Sequence, residues 1–261
     1  MVWDPLAGTR VLDLAQPMRR GMPQSPNHPP FRMAIERRHG DVMRPDGGSA
    51  ANELIVTGGH VGTHVDALAH VSQDGYLHGG VEALSVQGHL GFTALGIETF
   101  GVYVGRAAVF DVARLHGVPS LPPGYEITAA DLAACDAEVR PGDAVLIGTG
   151  WSRRWDEPEA FVGHRAGCPG PGVEAAGWLV ERGAAIAGGE TIAFECIPPG
   201  AGHAVLPVHR LLLVERGIHI VETMRLAPLL DTGATECLLV LNPLPIVGAT
   251  GAPVRPLAVL P

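Results

Sequence analysis

His60, His64, Asp66 and His70 lie within eleven residues, in the stretch GGHVGTHVDALAHV from Gly58 to Val71. Imidazole and carboxylate groups are costly to hold among apolar neighbours unless something satisfies them, and the residues between them are mostly small or apolar. On a helix, at about 100° per residue, His60 and His64 share a face while Asp66 and His70 point away. On extended chain all four have one parity, with Val61, Thr63, Val65, Ala67, Ala69 and Val71 on the opposite face. Parity therefore predicts extended chain. A straight strand, at about 3.3 Å per residue, would hold His60 and His64 about 13 Å apart. Two ligands of one ion each approach it to about 2 Å, so the chain must bend, and Gly62 is where a bend costs least. The expected path is a strand, a bend at Gly62–Thr63, and extended chain beyond. Such a segment delivers His60, His64 and Asp66 to one cation, and two imidazoles with a carboxylate suit zinc, manganese or iron(II). The helical His-Glu-x-x-His zinc motif is absent.

The elements that must position these groups read as alternating strands and helices. Strands are expected in RVLDLA near Arg10, ELIVTG near Glu53, RAAVFDV near Arg106, DAVLIGTG near Asp143, AAIAGG near Ala184, IHIVETM near Ile218 and ECLLVLN near Glu236. TAADLAACDAEV has helical spacing and begins at Thr128, a good N-cap. PGVEAAGWLVERG predicts a helix from Pro171, read as a first-turn proline, to a stop at Gly183. AVLPVHRLLLVERG predicts another, ending at Gly217 with Pro207 in its first turn or earlier. The last two helices are each followed at once by a strand, which indicates an α/β fold with helices packed on a sheet. The first hundred residues hold more strand and loop than helix, so a mixed sheet with a β-rich half is expected rather than a doubly wound one.

Composition removes several function classes. The chain has 261 residues, 46% of them hydrophobic, enough for a sizeable core. The formal charge is −9 with no block of like charge, which argues against nucleic-acid binding by a basic surface. All 18 basic residues are arginine, so lysine Schiff-base chemistry and a P-loop lysine are excluded. No Gly-x-Ser-x-Gly elbow is present. The four cysteines are scattered, fitting neither a zinc ribbon nor a disulfide scaffold. The opening MVWDPLAGTR lacks the basic and apolar regions of a signal peptide, and no apolar run is long enough to span a bilayer. A cytoplasmic protein acting on a small molecule is expected, without membrane or nucleic-acid partners.

HVGTHVDALAH resembles the His-x-Gly-Thr-His-x-Asp-x-x-x-His motif of the cyclase family, which includes bacterial kynurenine formamidases and isatin hydrolases. VLDLAQPMRRGMPQSP is similar to that family's opening segment, GGETIAFE and VHRLLLVERGIHIVET to its later half, and GATGAPVRPLAV to its end. The resemblance spans essentially the whole chain and implies one hydrolase domain over residues 1–261, an α/β fold of swivelling β/β/α type, commonly dimeric or tetrameric. It implies His60, His64 and Asp66 as one metal-ligand set and His70 as the proton-transfer residue. In the formamidase branch a further histidine and glutamate complete a two-metal site, and His209 and Glu222 match them. Isatin-hydrolase-like members work with one ion, so one or two zinc or manganese ions both fit. Formamidases carry Asp-Ala-Pro where this chain has Asp66-Ala67-Leu68, as less characterised members do. The implied activity is metal-dependent hydrolysis of a small amide or cyclic amide, arylformamidase-like or by isatin-type ring opening. Lactone hydrolysis, cyclisation and dehydration on the same fold are alternatives, and a structural metal is another. Glu190 and Glu195, at a strand end in GGETIAFEC, and Trp151 and Trp155 in GTGWSRRWDE are left without an assigned role. So are the remaining histidines, His28, His203 and His219 among them.

Overall fold

In the computed structural model, residues 8–261 are described; most of the opening segment read for a targeting signal lies outside them. The seven apolar runs expected as strands all become strands, and six of them join one mixed sheet. Its nine strands run, from edge to edge, Arg10–Asp13, Leu257–Leu260, Glu236–Leu241, Tyr103–Asp111, Ala144–Gly148, Ile186–Gly189, His219–Glu222, His64–Asp66 and Gly251–Pro253. Tyr103–Asp111, Ala144–Gly148, Ile186–Gly189 and His219–Glu222 are mutually parallel, and every other pairing is antiparallel. Asn52–Val56 instead pairs with Arg32–Arg37 in a separate hairpin whose residues are all exposed.

Strand alternation divides the core in two. Ala108, Phe110, Val145 and Ile147 face the helices, packing with Leu132, Leu179, Leu212 and Leu213. Ala107, Val109, Leu146 and Leu239 face the other way, into a core shared by Leu12 from one edge strand and Ala252 from the other. Residues from both edges meeting in one cluster means that the sheet curls toward itself.

The helices start near their expected signals but run shorter. Thr128 caps Ala129–Ala134 with a reciprocal box: its Oγ accepts from the Asp131 amide at 3.1 Å, and its own amide donates to the Asp131 carboxylate at 2.8 Å. The chain turns extended at Cys135, so the helix does not reach Val139. Pro171 is not a first-turn proline. Gly170–Pro171 forms a short parallel bridge with Glu126–Ile127, and Gly172 is the N-cap of Val173–Glu181. Pro207 does open its helix, Pro207–His209, which widens into a π-helix over Arg210–Arg216 and stops at left-handed Gly217. Such π segments are rare and cluster at functional sites. No helix among the described residues is long and apolar enough to cross a membrane.

Candidate metal centre

His64–Asp66 is a buried strand wedged between His219–Glu222 and Gly251–Pro253. Its register sets His64 opposite Glu222 and Asp66 opposite Ile220. Gly62, at φ +71°, makes the expected bend. Ahead of it the path differs from expectation: residues 59–63 form a turn, not the end of a strand. Glycine at position 59 lets the turn pass against Gly251, where a Cβ would sit 2.4 Å from the carbonyl oxygen. The turn swings His60 back over the strand, and the helix of Pro207–His209 brings His209 in from the other side.

These five side chains converge. His60 Nδ1 lies 2.7 Å from Asp66 Oδ1, and His64 Nε2 lies 3.4 Å from that oxygen and 3.3 Å from Glu222 Oε2. His209 Nε2 lies 3.1 Å from Glu222 Oε1 and 3.7 Å from Asp66 Oδ2. Potential ligand atoms fall into two overlapping triads, His60–His64–Asp66 and Asp66–His209–Glu222, with Asp66 in both. All five residues are buried, Asp66 completely. His64 and His209 are aimed by their Nδ1 atoms, which face the Gly62 carbonyl at 2.7 Å and Glu195 Oε1 at 2.6 Å. His60 has both ring nitrogens engaged, the second with Thr250 Oγ at 2.9 Å.

Among the described residues, six buried side-chain nitrogen or oxygen atoms lack a hydrogen bond, and three are His64 Nε2, Asp66 Oδ2 and Glu222 Oε1. Buried polar atoms are rarely left so. Their clustering at the meeting point of imidazoles and carboxylates fits a divalent cation as the missing partner.

The electrostatics agree. Burial alone would lower the His64 pKa, but the carboxylates of Asp66 and Glu222 beside it lift it to about 10. Burial likewise opposes charge on His209, and contacts with Glu195 and Glu222 hold its pKa well above the ordinary value. Burial pushes Asp66 up, yet the imidazoles around it, His70, His60 and His64, hold it well below the carboxylate range. Glu222 is raised by burial and by Asp66 but ends lowered, through His209 and His64. Buried carboxylates demand positive charge. Without an ion, protons on the imidazoles supply it.

His70 takes a different position. Its ring stacks on His60 at 3.8 Å between centroids and lies 6.4 Å from His209, edge to face. Burial, with His60 and His209 nearby, pushes its pKa down to about 3 against the opposing pull of Asp66. It is a neutral base at neutral pH, beside the cluster rather than in either triad.

Three contributors carried no local signal. His28, from a Pro-rich loop, stacks on His60 at 5.0 Å. His219 Nδ1 donates to the Asp66 carbonyl at 2.8 Å. Thr250 comes from the Gly-rich stretch near the C-terminus. Trp151 and Trp155, left without a role above, are core residues packed with Phe161 and Ile192. Glu190 is buried away from the triads, accepting from Thr149 and Ser152 at the turn after Ala144–Gly148.

Comparison with known proteins places this geometry in context. The family model described as "Putative cyclase" matches residues 12–196, which include the His60–His70 motif but stop short of His209 and Glu222. An isatin hydrolase of Roseibium aggregatum is 27% identical over 223 residues, covering 83% of this chain and 77% of that protein. The crystal structure of a novel cyclase superposes with a TM-score of 0.87 at 29% identity, over 96% of this chain and 88% of the other. A predicted metal-dependent hydrolase from Bacillus stearothermophilus superposes with a TM-score of 0.66 at 25% identity, over 97% of this chain and 99% of the other.

Proposed function

This chain belongs to the cyclase family, and on that premise we propose that it is a metal-dependent hydrolase of a small amide or cyclic amide. The observation that carries the proposal is the convergence of three unsatisfied buried atoms on His64, Asp66 and Glu222. The isatin hydrolase relative and the metal-dependent hydrolase neighbour support it. His60, His64, Asp66, His209 and Glu222 would hold one or two ions, zinc or manganese. When bound, such an ion polarises a carbonyl and lowers the pKa of water from about 15.7 toward about 7.

The chain's own residues supply the rest. Glu222 and Asp66 give the centre its negative charge, and the Gly62 carbonyl fixes which nitrogen of His64 faces inward. His70, neutral and stacked beside His60, takes a proton from the attacking water and passes that proton on to the leaving nitrogen. Transfer of this kind is worth about 10²–10⁴ in rate. Isatin-type ring opening and N-formylkynurenine hydrolysis are the two reactions to test first.

In the same proposal the chain acts as one domain over residues 1–261, in the cytoplasm, as a homodimer or homotetramer. Its sheet draws strands from Arg10 to Leu260, and its four cysteines are free thiols. The Arg32–Arg37/Asn52–Val56 hairpin exposes Met33, Ile35, Leu54, Ile55 and Val56. A lone hairpin is marginal in water, and a second copy of the chain would cover it. Light scattering tests that part: a monomer at micromolar concentration contradicts it.

A lyase, dehydratase or cyclase on this fold would use the same ion as a Lewis acid. Turnover in ¹⁸O-water separates the chemistries, because hydrolysis must place solvent oxygen in the acid product. Unlabelled product would overturn the hydrolase assignment.

A further inference from the structure

Glu195 has no part in either ligand triad, yet it is 2% exposed and both its oxygens are occupied. Oε1 accepts from the His209 amide at 2.9 Å and lies 2.6 Å from His209 Nδ1, while Oε2 accepts from the Val208 amide at 3.0 Å. One carboxylate thus caps the first turn of the Pro207 helix and grips the ring of a residue in that turn. The backbone just before it is unusual. Phe194, buried and bulky, sits at φ +54°, a conformation that only Gly adopts freely. A matching outlier, Thr223 at φ +56°, immediately follows Glu222. Strain of this kind persists only where the surroundings impose it, and it gathers at functional sites.

We infer that Glu195 is a positioning residue for the metal centre: it keeps the proton of His209 on Nδ1 and turns the Nε2 lone pair toward Asp66 and Glu222. His64 has a neutral carbonyl, that of Gly62, in the same place, so of the two only His209 is backed by an anion. A carboxylate behind a ligand imidazole fixes its tautomer and raises its basicity, and losing such a partner costs about 10–100-fold in metal affinity. The inference rests on the metal-centre reading above, and it adds to it a residue that binds no ion itself.

The test measures metal affinity rather than turnover. Zn²⁺ affinity is read by competition with a chromophoric chelator, and the Co²⁺-loaded protein is followed by its visible absorption. Four proteins are compared: the parent, His209→Ala, Glu195→Ala and Glu195→Gln. Glutamine keeps the volume and one acceptor for Nδ1–H, so it carries the test should Glu195→Ala fail to fold. The expected order of affinity is parent, then Glu195→Gln, then Glu195→Ala, with a loss of about 10–100-fold for the alanine variant and an altered Co²⁺ spectrum. A residue that only caps the helix would lower the melting temperature and leave affinity and spectrum at parent values; folded Glu195 variants that behave so, beside a weakened His209→Ala, overturn this inference alone. A parent that binds no metal overturns the metal-centre reading and this inference together.

Discussion

Loading the ion should expel protons, and should do so at a pH where ordinary histidines have none to give. A ligand imidazole must be deprotonated. A histidine of ordinary pKa, about 6.5, is already mostly neutral at pH 7. His64 is not: despite burial, Asp66 and Glu222 lift its pKa to about 10, and His209 is raised well above its usual value by Glu195 and Glu222. Three pH units below that pKa, the protonated form of His64 outweighs the neutral one by about 10³, which makes its deprotonation cost about 4 kcal/mol at pH 7. Each displaced proton should make the apparent metal affinity rise about tenfold per pH unit. His64 alone gives about tenfold per unit from about pH 7 to 9, flattening as pH approaches about 10, and release from His209 steepens the rise. Titration calorimetry in two buffers of different ionisation enthalpy counts the protons directly. A corollary concerns stability without the ion. Since the folded pKa of His64 is raised, its stabilisation is full below about pH 6.5 and is lost as pH rises through about 10. The melting temperature of the metal-free protein should fall across that window, and added metal should restore it. No proton release, with an affinity flat above pH 7, would refute the reasoning.

His70→Ala should keep its full metal content and lose about 10²–10⁴ in kcat; elemental analysis beside steady-state kinetics checks both, and normal turnover removes His70 from the mechanism. Gly251→Ala should loosen the ion at His60, because the new Cβ would lie 2.6 Å from the His60 ring and 2.8 Å from the Val65 carbonyl oxygen. Chelator competition should show weaker binding with little change in the far-ultraviolet circular dichroism. Trp151→Ala, which empties a fully buried site and removes the hydrogen bond from Trp151 Nε1 to the Phe161 carbonyl, should destabilise the protein by about 3–5 kcal/mol in urea unfolding.

The parts of the fold that were legible are those written in short windows. A run such as DAVLIGTG is apolar, bounded by Gly and long enough for one buried strand, and it becomes Ala144–Gly148. Thr128 announces its own N-cap, and the structure adds Asp131 to it as a reciprocal box. Gly251–Pro253 and Leu257–Leu260 were not expected as strands: Gly and Pro interrupt the stretch, and pairing across the sheet sustains them. The site divides in the same way. Parity and Gly62 in one motif point to His60, His64 and Asp66. His209 and Glu222 were marked only by resemblance, because what brings Glu222 to His64 is an antiparallel register between strands distant in sequence. Glu195 was noticed as an acid at a strand end, but its partner lies in a helix whose docking no local pattern records. His28 left no signal, since a Pro-rich loop carries no periodicity from which its path could be inferred.

The most direct test is turnover of isatin and of N-formylkynurenine by the purified protein as prepared, after exhaustive chelation, and after zinc or manganese is added back. Hydrolysis that disappears on chelation and returns with the metal is the predicted result. Full activity in the metal-free protein, or no hydrolysis of either substrate with either metal, would contradict a metal-dependent amide hydrolase built on Asp66 and Glu222.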